Sequence, residues 1–175
     1  MRNTPVPPGF WRGLYSNPNA LFLECFMDEL AEQAGMDAWT FRRQFMAPYP
    51  RQLAVLDAVA QGIGWSENPD AGLHRGLAVM RAFGSHVAAA CELSVQNKRV
   101  KIHRIVAATD PGYAVNPAQI ERQLSGSFVF GLSALFMQEC TIQSGRIEQT
   151  NFDQYGSMRI AQMGDHRQIG FYHSL

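Results

Sequence analysis

The chain changes its hydrophobic period once, and that change limits what it can fold into. Up to Ile63 the apolar residues recur at helical spacing. Beyond the polar segment Trp65 to Gly72 they gather into three runs rich in Val, Ile and Ala, LHRGLAVMRAF, SHVAAACELSV and RVKIHRIVAAT. Helices followed by strands point to an α+β fold: N-terminal helices, then an antiparallel sheet with a long packed helix and a terminal hairpin. Gln96-Asn97-Lys98 separates the last two runs and predicts a hairpin turn. In the third run Val100, Ile102, Arg104 and Val106 alternate imperfectly with Lys101, His103 and Ile105, as a half-buried antiparallel strand would.

The local signals fill in that outline. Residues 1–18 carry Pro5, Pro7, Pro8 and Pro18 and read as an irregular lead-in. From Asn19 a helix is expected, with Leu23, Phe26, Met27, Leu30, Ala31 and Ala34 on one face. Glu24, Asp28 and Glu29 flank that stripe as its solvated side, and Gly35 stands where a helix end wants a left-handed residue. Asp37 caps a second helix, AWTFRRQFMA, which ends before Pro48 and Pro50. A third helix runs from about Arg51 to Ile63, with Leu53, Leu56, Val59 or Ala60, and Ile63 inward.

Asn116-Pro117-Ala118-Gln119 is a strong helix start: Asn at the N-cap, Pro at the first helical position, Gln119 placed to complete a capping box. That helix extends to about Gln138, with weaker propensity at Ser125-Gly126-Ser127 and Gly131-Leu132-Ser133. ECTIQ and RIEQT, joined by Ser144-Gly145, form the closing hairpin. The organisation expected is a helical segment over 1–64, an α+β segment over 73–163 and an atypical tail over 164–175.

Several function classes are disfavoured. The formal net charge is zero, without the basic footprint of a nucleic-acid binder. No apolar run approaches the roughly 18 residues that span a bilayer, and MRNTPVPPGFWRG has no signal-peptide core. Cys25, Cys91 and Cys140 are far apart with no CxxC, which argues against a disulfide framework, a zinc knuckle or an iron–sulfur cluster; they read as buried small hydrophobes. His74, His86, His103, His166 and His173 show no metal-binding spacing, and no P-loop, GxSxG or GxGxxG occurs.

The residues left to carry chemistry lie in four places. The Asn116 helix start, preceded by the Asp110-Pro111-Gly112 turn, offers unpaired N–H groups to an anion, but by itself it is better explained as a well-capped core helix. Ser125, Gly126, Ser127, Gly131 and Ser133 admit either a flat cofactor or a close-packed sheet, and Gln123 could present its amide to a pterin-like edge. Phe83-Gly84-Ser85-His86 is a tight turn, or a loop whose N–H groups face a ligand. Phe10-Trp11-Arg12-Gly13 sets one Arg between aromatics, a pairing suited to oxyanions and rings.

Three segments together resemble one family. Pro7-Pro8-Gly9-Phe10-Trp11-Arg12, followed by Glu24 to Ala31, is similar to the aromatic-Arg-Gly loop and helix of the molybdenum hydroxylases (the xanthine dehydrogenase/aldehyde oxidase group). Asp110-Pro111-Gly112, Asn116-Pro117 and Gln123-Leu124-Ser125-Gly126 resemble that family's strand–turn–helix. Phe130 to Ser133, Gly145 to Phe152, Tyr155 and Arg159 are similar to the version in isoquinoline 1-oxidoreductase large (beta) subunits.

The resemblance spans roughly residues 5–163. It implies a molybdopterin-binding oxidoreductase subunit, in bacteria usually carrying the cytosine dinucleotide form. Such a subunit hydroxylates N-heterocycles or aldehydes with water-derived oxygen, together with a [2Fe-2S] small subunit and the remainder of the large subunit. It places Arg12 near substrate, and Gly84, Ser85, Asn116, Gln123 and Gly126 near the cofactor. The family's catalytic Glu lies in a Gly-Glu-Pro context absent from this chain. The expectation is therefore a C-terminal-region fragment, of the bacterial cytoplasm or periplasm, inactive alone. A non-catalytic α+β module binding a ligand or partner is the competing expectation.

Overall fold

The computed structural model describes residues 9–159 and 170–173. The element order is α1 (Ser16–Gln33), α2 (Ala38–Met46), α3 (Pro50–Ile63), β1 (His74–Ala82), β2 (Ser85–Gln96), β3 (Arg99–Asp110), α4 (Pro117–Phe136), β4 (Ile142–Gln143), β5 (Arg146–Ile147) and β6 (Gly170–His173). The α+β class follows the sequence expectation, helices first and then an antiparallel meander β1-β2-β3, with β6 parallel beside β3. The chain divides into two compact units. One holds residues 1–14 and 118–164, the other residues 15–117 and 165–175.

In the larger unit the core forms where α3 lies on the sheet. Val55, Leu56, Val59 and Ile63 meet Leu77 and Val79 of β1, Ala88 and Ala90 of β2, and Val106 and Ala108 of β3. The alanines at the sheet centre leave room for the Leu and Val side chains of the helix, which is how apolar surface is removed from water here. Both ends of α3 are fixed. Gly64 takes a left-handed φ of 74° and closes the helix with N–H bonds to Gln61 and from Trp65 to Ala60. Arg75 and Arg104 donate to the Gly64 and Gly62 carbonyls at 2.6 Å.

Asp37 caps α2 as read from the sequence, accepting from the Thr40 N–H at 2.8 Å and from the Trp65 indole at 2.6 Å. Burial pushes its carboxyl up, but these donors outweigh it and hold Asp37 below the ordinary carboxylate value. Gly35 is left-handed after α1, with Met36 N–H closing on Ala31 O.

Helix α1 overturns two expectations. Its stripe faces inward only in part: Ala31 is buried and Met27 half-buried, but Leu23, Phe26 and Leu30 are exposed, together with Leu21 and Phe22. Glu24, expected on the solvated side, is buried beside Arg42 of α2. The Arg42 guanidinium has no exposed surface and donates to the Glu24 carboxylate at 3.1 Å and to the Glu24 carbonyl at 2.9 Å. It also reaches Asp28 at 2.7 Å and the Ala38 carbonyl at 3.1 Å. Glu24 further accepts the Val79 N–H at 2.9 Å, at the outer edge of the sheet. A buried ion pair, not apolar contact, therefore decides which side of α1 turns in. Burial raises the Glu24 carboxyl above its ordinary value despite the opposing Val79 and Arg42 bonds.

Two further readings are corrected. Cys25 and Cys140 are exposed and Cys91 half-buried, so only Cys91 approaches the buried role; burial pushes its thiol up. The imperfect alternation of β3 is a bulge. Glu92 pairs with Arg104 but Leu93 pairs with Ile102, leaving His103 as the extra residue. The Ser94 hydroxyl and the His103 ring bond at 2.8 Å, so His103 turns to the side of the sheet from which Arg104 reaches α3.

All three two-residue turns have positive φ at both positions: Phe83-Gly84 at 50° and 82°, Asn97-Lys98 at 50° and 62°, Ser144-Gly145 at 50° and 76°. That geometry matches strand twist and makes tight hairpins. The closing hairpin is shorter than ECTIQ and RIEQT suggested. Only Ile142–Gln143 and Arg146–Ile147 pair, extended by Glu148 N–H to Thr141 O at 3.0 Å.

Candidate functional site

Helix α4 of the smaller unit gathers three of the residues singled out above. Gln123, Gly126 and Phe130 fall at i, i+3 and i+7 and share one face. Arg12, from the loop before α1, lies with its guanidinium 3.9 Å from the centre of the Phe130 ring. At about 1.5 Å of rise per residue, Phe130 stands roughly 6 Å along the axis from Gly126 and about 10 Å from Gln123. Gln123 and Phe130 are exposed, and Gly126 is half-buried. A guanidinium over an aromatic face is attracted to the ring, which orients its plane.

The small residues of α4 divide into two kinds. Ser133 is buried; its hydroxyl donates to Val129 O at 2.6 Å and accepts the Met158 N–H at 2.8 Å, tying the chain after the hairpin back to the helix. Ser127 likewise donates to Leu124 O at 2.6 Å. Gly126 and Gly131 are different: among the described residues, a Cβ built at either meets no atom within 4 Å beyond the helix's own backbone. Packing among the described residues explains Ser133 and not the two glycines, although mid-helix Gly costs roughly 0.5–1 kcal/mol relative to Ala.

Gly84, Ser85 and Asn116 belong to the other unit. Gly84 completes the Phe83-Gly84 turn, and Ser85 opens β2 opposite Ala82. Asn116 is exposed immediately before α4. The Asp110-Pro111-Gly112 turn is braced from α3: Arg51 grips the Asp110 carboxylate at 2.7 and 2.8 Å, and Asp110 accepts the Gly112 N–H at 2.9 Å. Beside it, His86 is buried and its Nδ1 finds no hydrogen-bond partner among the described residues. Burial lowers the His86 pKa, Arg51 and Arg81 add to that, and Asp110 opposes it. No sequence signal marks the Arg51–Asp110 pair, whose members stand 59 residues apart. Among the described residues no three His, Cys, Asp or Glu side chains cluster as metal ligands do, and no helix is long and apolar enough to cross a membrane.

Comparison with known proteins finds similarity in sequence. Residues 29–164 match the model of the molybdopterin cofactor-binding domain. The chain is 27% identical over 145 residues to the beta subunit of isoquinoline 1-oxidoreductase from Brevundimonas diminuta, covering 80% of this chain and 19% of that protein. It is 25% identical over 172 residues to a nicotinate dehydrogenase subunit from Pseudomonas putida, covering 87% of this chain and 14% of the relative. Among solved structures it resembles a Cu,Mo-CO dehydrogenase with TM-score 0.46 and 18% identity, over 51% of this chain and 12% of that one. The chain thus spans a fifth or less of the length of these two curated relatives.

Proposed function

The chain belongs to the molybdopterin cofactor-binding domain family, and on that premise we propose that it forms part of the cofactor wall of an oxidoreductase subunit that hydroxylates N-heterocycles or aldehydes. The observation that carries this reading is the α4 face. An exposed amide, an open glycine and a ring-stacked guanidinium lie in line, and among the described residues nothing packs against the glycine. Those groups fit the cofactor: the space beside Gly126 admits a flat ring, the Gln123 amide can both donate to and accept from a pterin edge, and a guanidinium suits oxyanions.

In this reading Gln123 and Gly126 hold the cofactor, and Arg12, stacked on Phe130, steadies negative charge developing on the substrate. The molybdenum carried by molybdopterin would, when bound, supply the two-electron redox chemistry of hydroxylation, with the oxygen taken from water. Gly84, Ser85 and Asn116 are proposed as further cofactor contacts, each to be tested by itself. The proposal extends to the cytosine dinucleotide form, a [2Fe-2S] small subunit as electron acceptor, and the remainder of a large subunit supplying the catalytic Glu, without which the chain is inactive alone.

Two substitutions in a complete enzyme carrying this chain test the reading. Gly126→Leu is expected to lower the molybdenum content per subunit severalfold. Arg12→Ala is expected to leave that content unchanged while kcat falls by about 100-fold, the scale of losing one charge-stabilising donor. Full molybdenum loading in Gly126→Leu would instead remove Gly126 from the cofactor site, and a complete enzyme without molybdenum before any substitution would favour the non-catalytic binding module.

A further inference from the structure

The distal end of the β2–β3 hairpin carries a cavity of about 460 Å³ lined by Ser94, Gln96, Asn97, Arg99 and Lys101. We propose that it binds a small dianionic oxyanion of the phosphate class. Pairing explains how its lining converges. Ser94 stands opposite Lys101 and Gln96 opposite Arg99, and directly paired residues share one face of a sheet. The His103 bulge resets the alternation of β3, so that the two cations fall on the face that carries Ser94. The cavity therefore presents one guanidinium, one ammonium, two amides and a hydroxyl, and no carboxylate.

The charge there is not an average property of the surface. Lys98 and Lys101 are the two lysines of the whole sequence, in a chain of zero formal net charge. Among the described residues neither Arg99 nor Lys101 pairs with a carboxylate, while Glu92, the acid nearest on β2, is held by Arg75 at 2.9 Å. Two uncompensated cations flanked by neutral donors suit an anion of two charges, and Arg can grip two of its oxygens at once. Ser94 is buried, with 6% of its surface exposed, and its hydroxyl is fixed by the His103 ring. An Nε2–H on that ring leaves the Ser94 proton for the ligand. The volume lies in the range of small-ligand clefts. The site shares no residue with the α4 face and does not depend on the cofactor reading.

Isothermal titration of the full chain with inorganic phosphate, at ionic strength held constant with chloride, is the test. Saturable one-site binding with a Kd of about 1 mM is expected. Arg99→Gln/Lys101→Gln should weaken it at least about tenfold at unchanged thermal midpoint, because both residues are exposed. Arg122→Gln/Arg146→Gln, which removes the same charge elsewhere, should leave it unaltered. A phosphate response no larger than that of acetate, or one equally lost in the Arg122→Gln/Arg146→Gln protein, would overturn the proposal. Retention of the wild-type Kd in Arg99→Gln/Lys101→Gln would do the same.

Discussion

Glu24 and Arg42 show how a single pairing reverses the reading of a helix. Arg42 commits its guanidinium to the Glu24 carboxylate and carbonyl, Asp28 and the Ala38 carbonyl. Replacing it by Met leaves a buried carboxylate without its cation, which costs about 3–5 kcal/mol. Urea unfolding of Arg42→Met should report a loss of that size, and adding Glu24→Gln should recover part of it. Because burial raises Glu24 above its ordinary 4.5, the folded state holds this proton more tightly than the unfolded chain. Its contribution to stability is therefore full below about pH 4.5 and is lost as pH rises through the higher folded value. Asp37, held below its ordinary 3.8, acts oppositely: its contribution is present above that pH and is lost as pH falls through the folded value. Stability measured against pH should lose the first slope in Glu24→Gln and the second in Asp37→Asn. Neither residue of the buried pair could be matched from sequence, since Glu24 and Arg42 lie 18 positions apart on different helices. A lone Glu beside a Leu/Phe stripe is solvated far more often than buried.

At the scale of elements, local chemistry was the legible part. Asp37 as a cap, Gly35 as a stop, Pro117 as a first helical residue and Asn97-Lys98 as a turn all act where their side chains and dihedrals dictate. What stayed hidden was pairing across the sheet, because a bulge is fixed by the partner strand and only blurs the alternation of its own. The same local logic marks one misfit. Phe83 occupies a left-handed position at φ 50° with 76% of its surface exposed, a place that suits Asn or Gly. Phe83→Asn should stabilise the larger unit by about 1 kcal/mol in a thermal melt. Gly126→Ala should likewise raise the stability of the isolated chain, by roughly 0.5–1 kcal/mol, since its Cβ enters empty space. Gln123 and Gly126 on α4 were legible as candidates, but the stacking of Arg12 on Phe130 was not, because it joins a loop to a helix more than a hundred positions later in the chain.

For the whole molecule, the uneven distribution of apolar contact matters most. The α3–sheet core of the larger unit contrasts with α4, where Leu124 and Ser133 are the buried residues. Amide exchange should be slowest in α3 and β1–β3 and faster in α4. Leu21, Phe22, Leu23, Phe26 and Leu30 give α1 an exposed apolar surface of the kind that drives association. Sedimentation should find the purified chain self-associated at micromolar concentration, and Phe22→Gln/Phe26→Gln should reduce this with a stability change within about 0.5 kcal/mol. A helix that keeps its ions inside and its oil outside has an unusual relation to mutation. Under selection for the folding of this chain alone, Glu24 would be immovable while Phe22 and Phe26 drifted freely to polar residues. A survey of natural variants in which those phenylalanines hold as firmly as Glu24 would be the trace of a neighbour leaning on them.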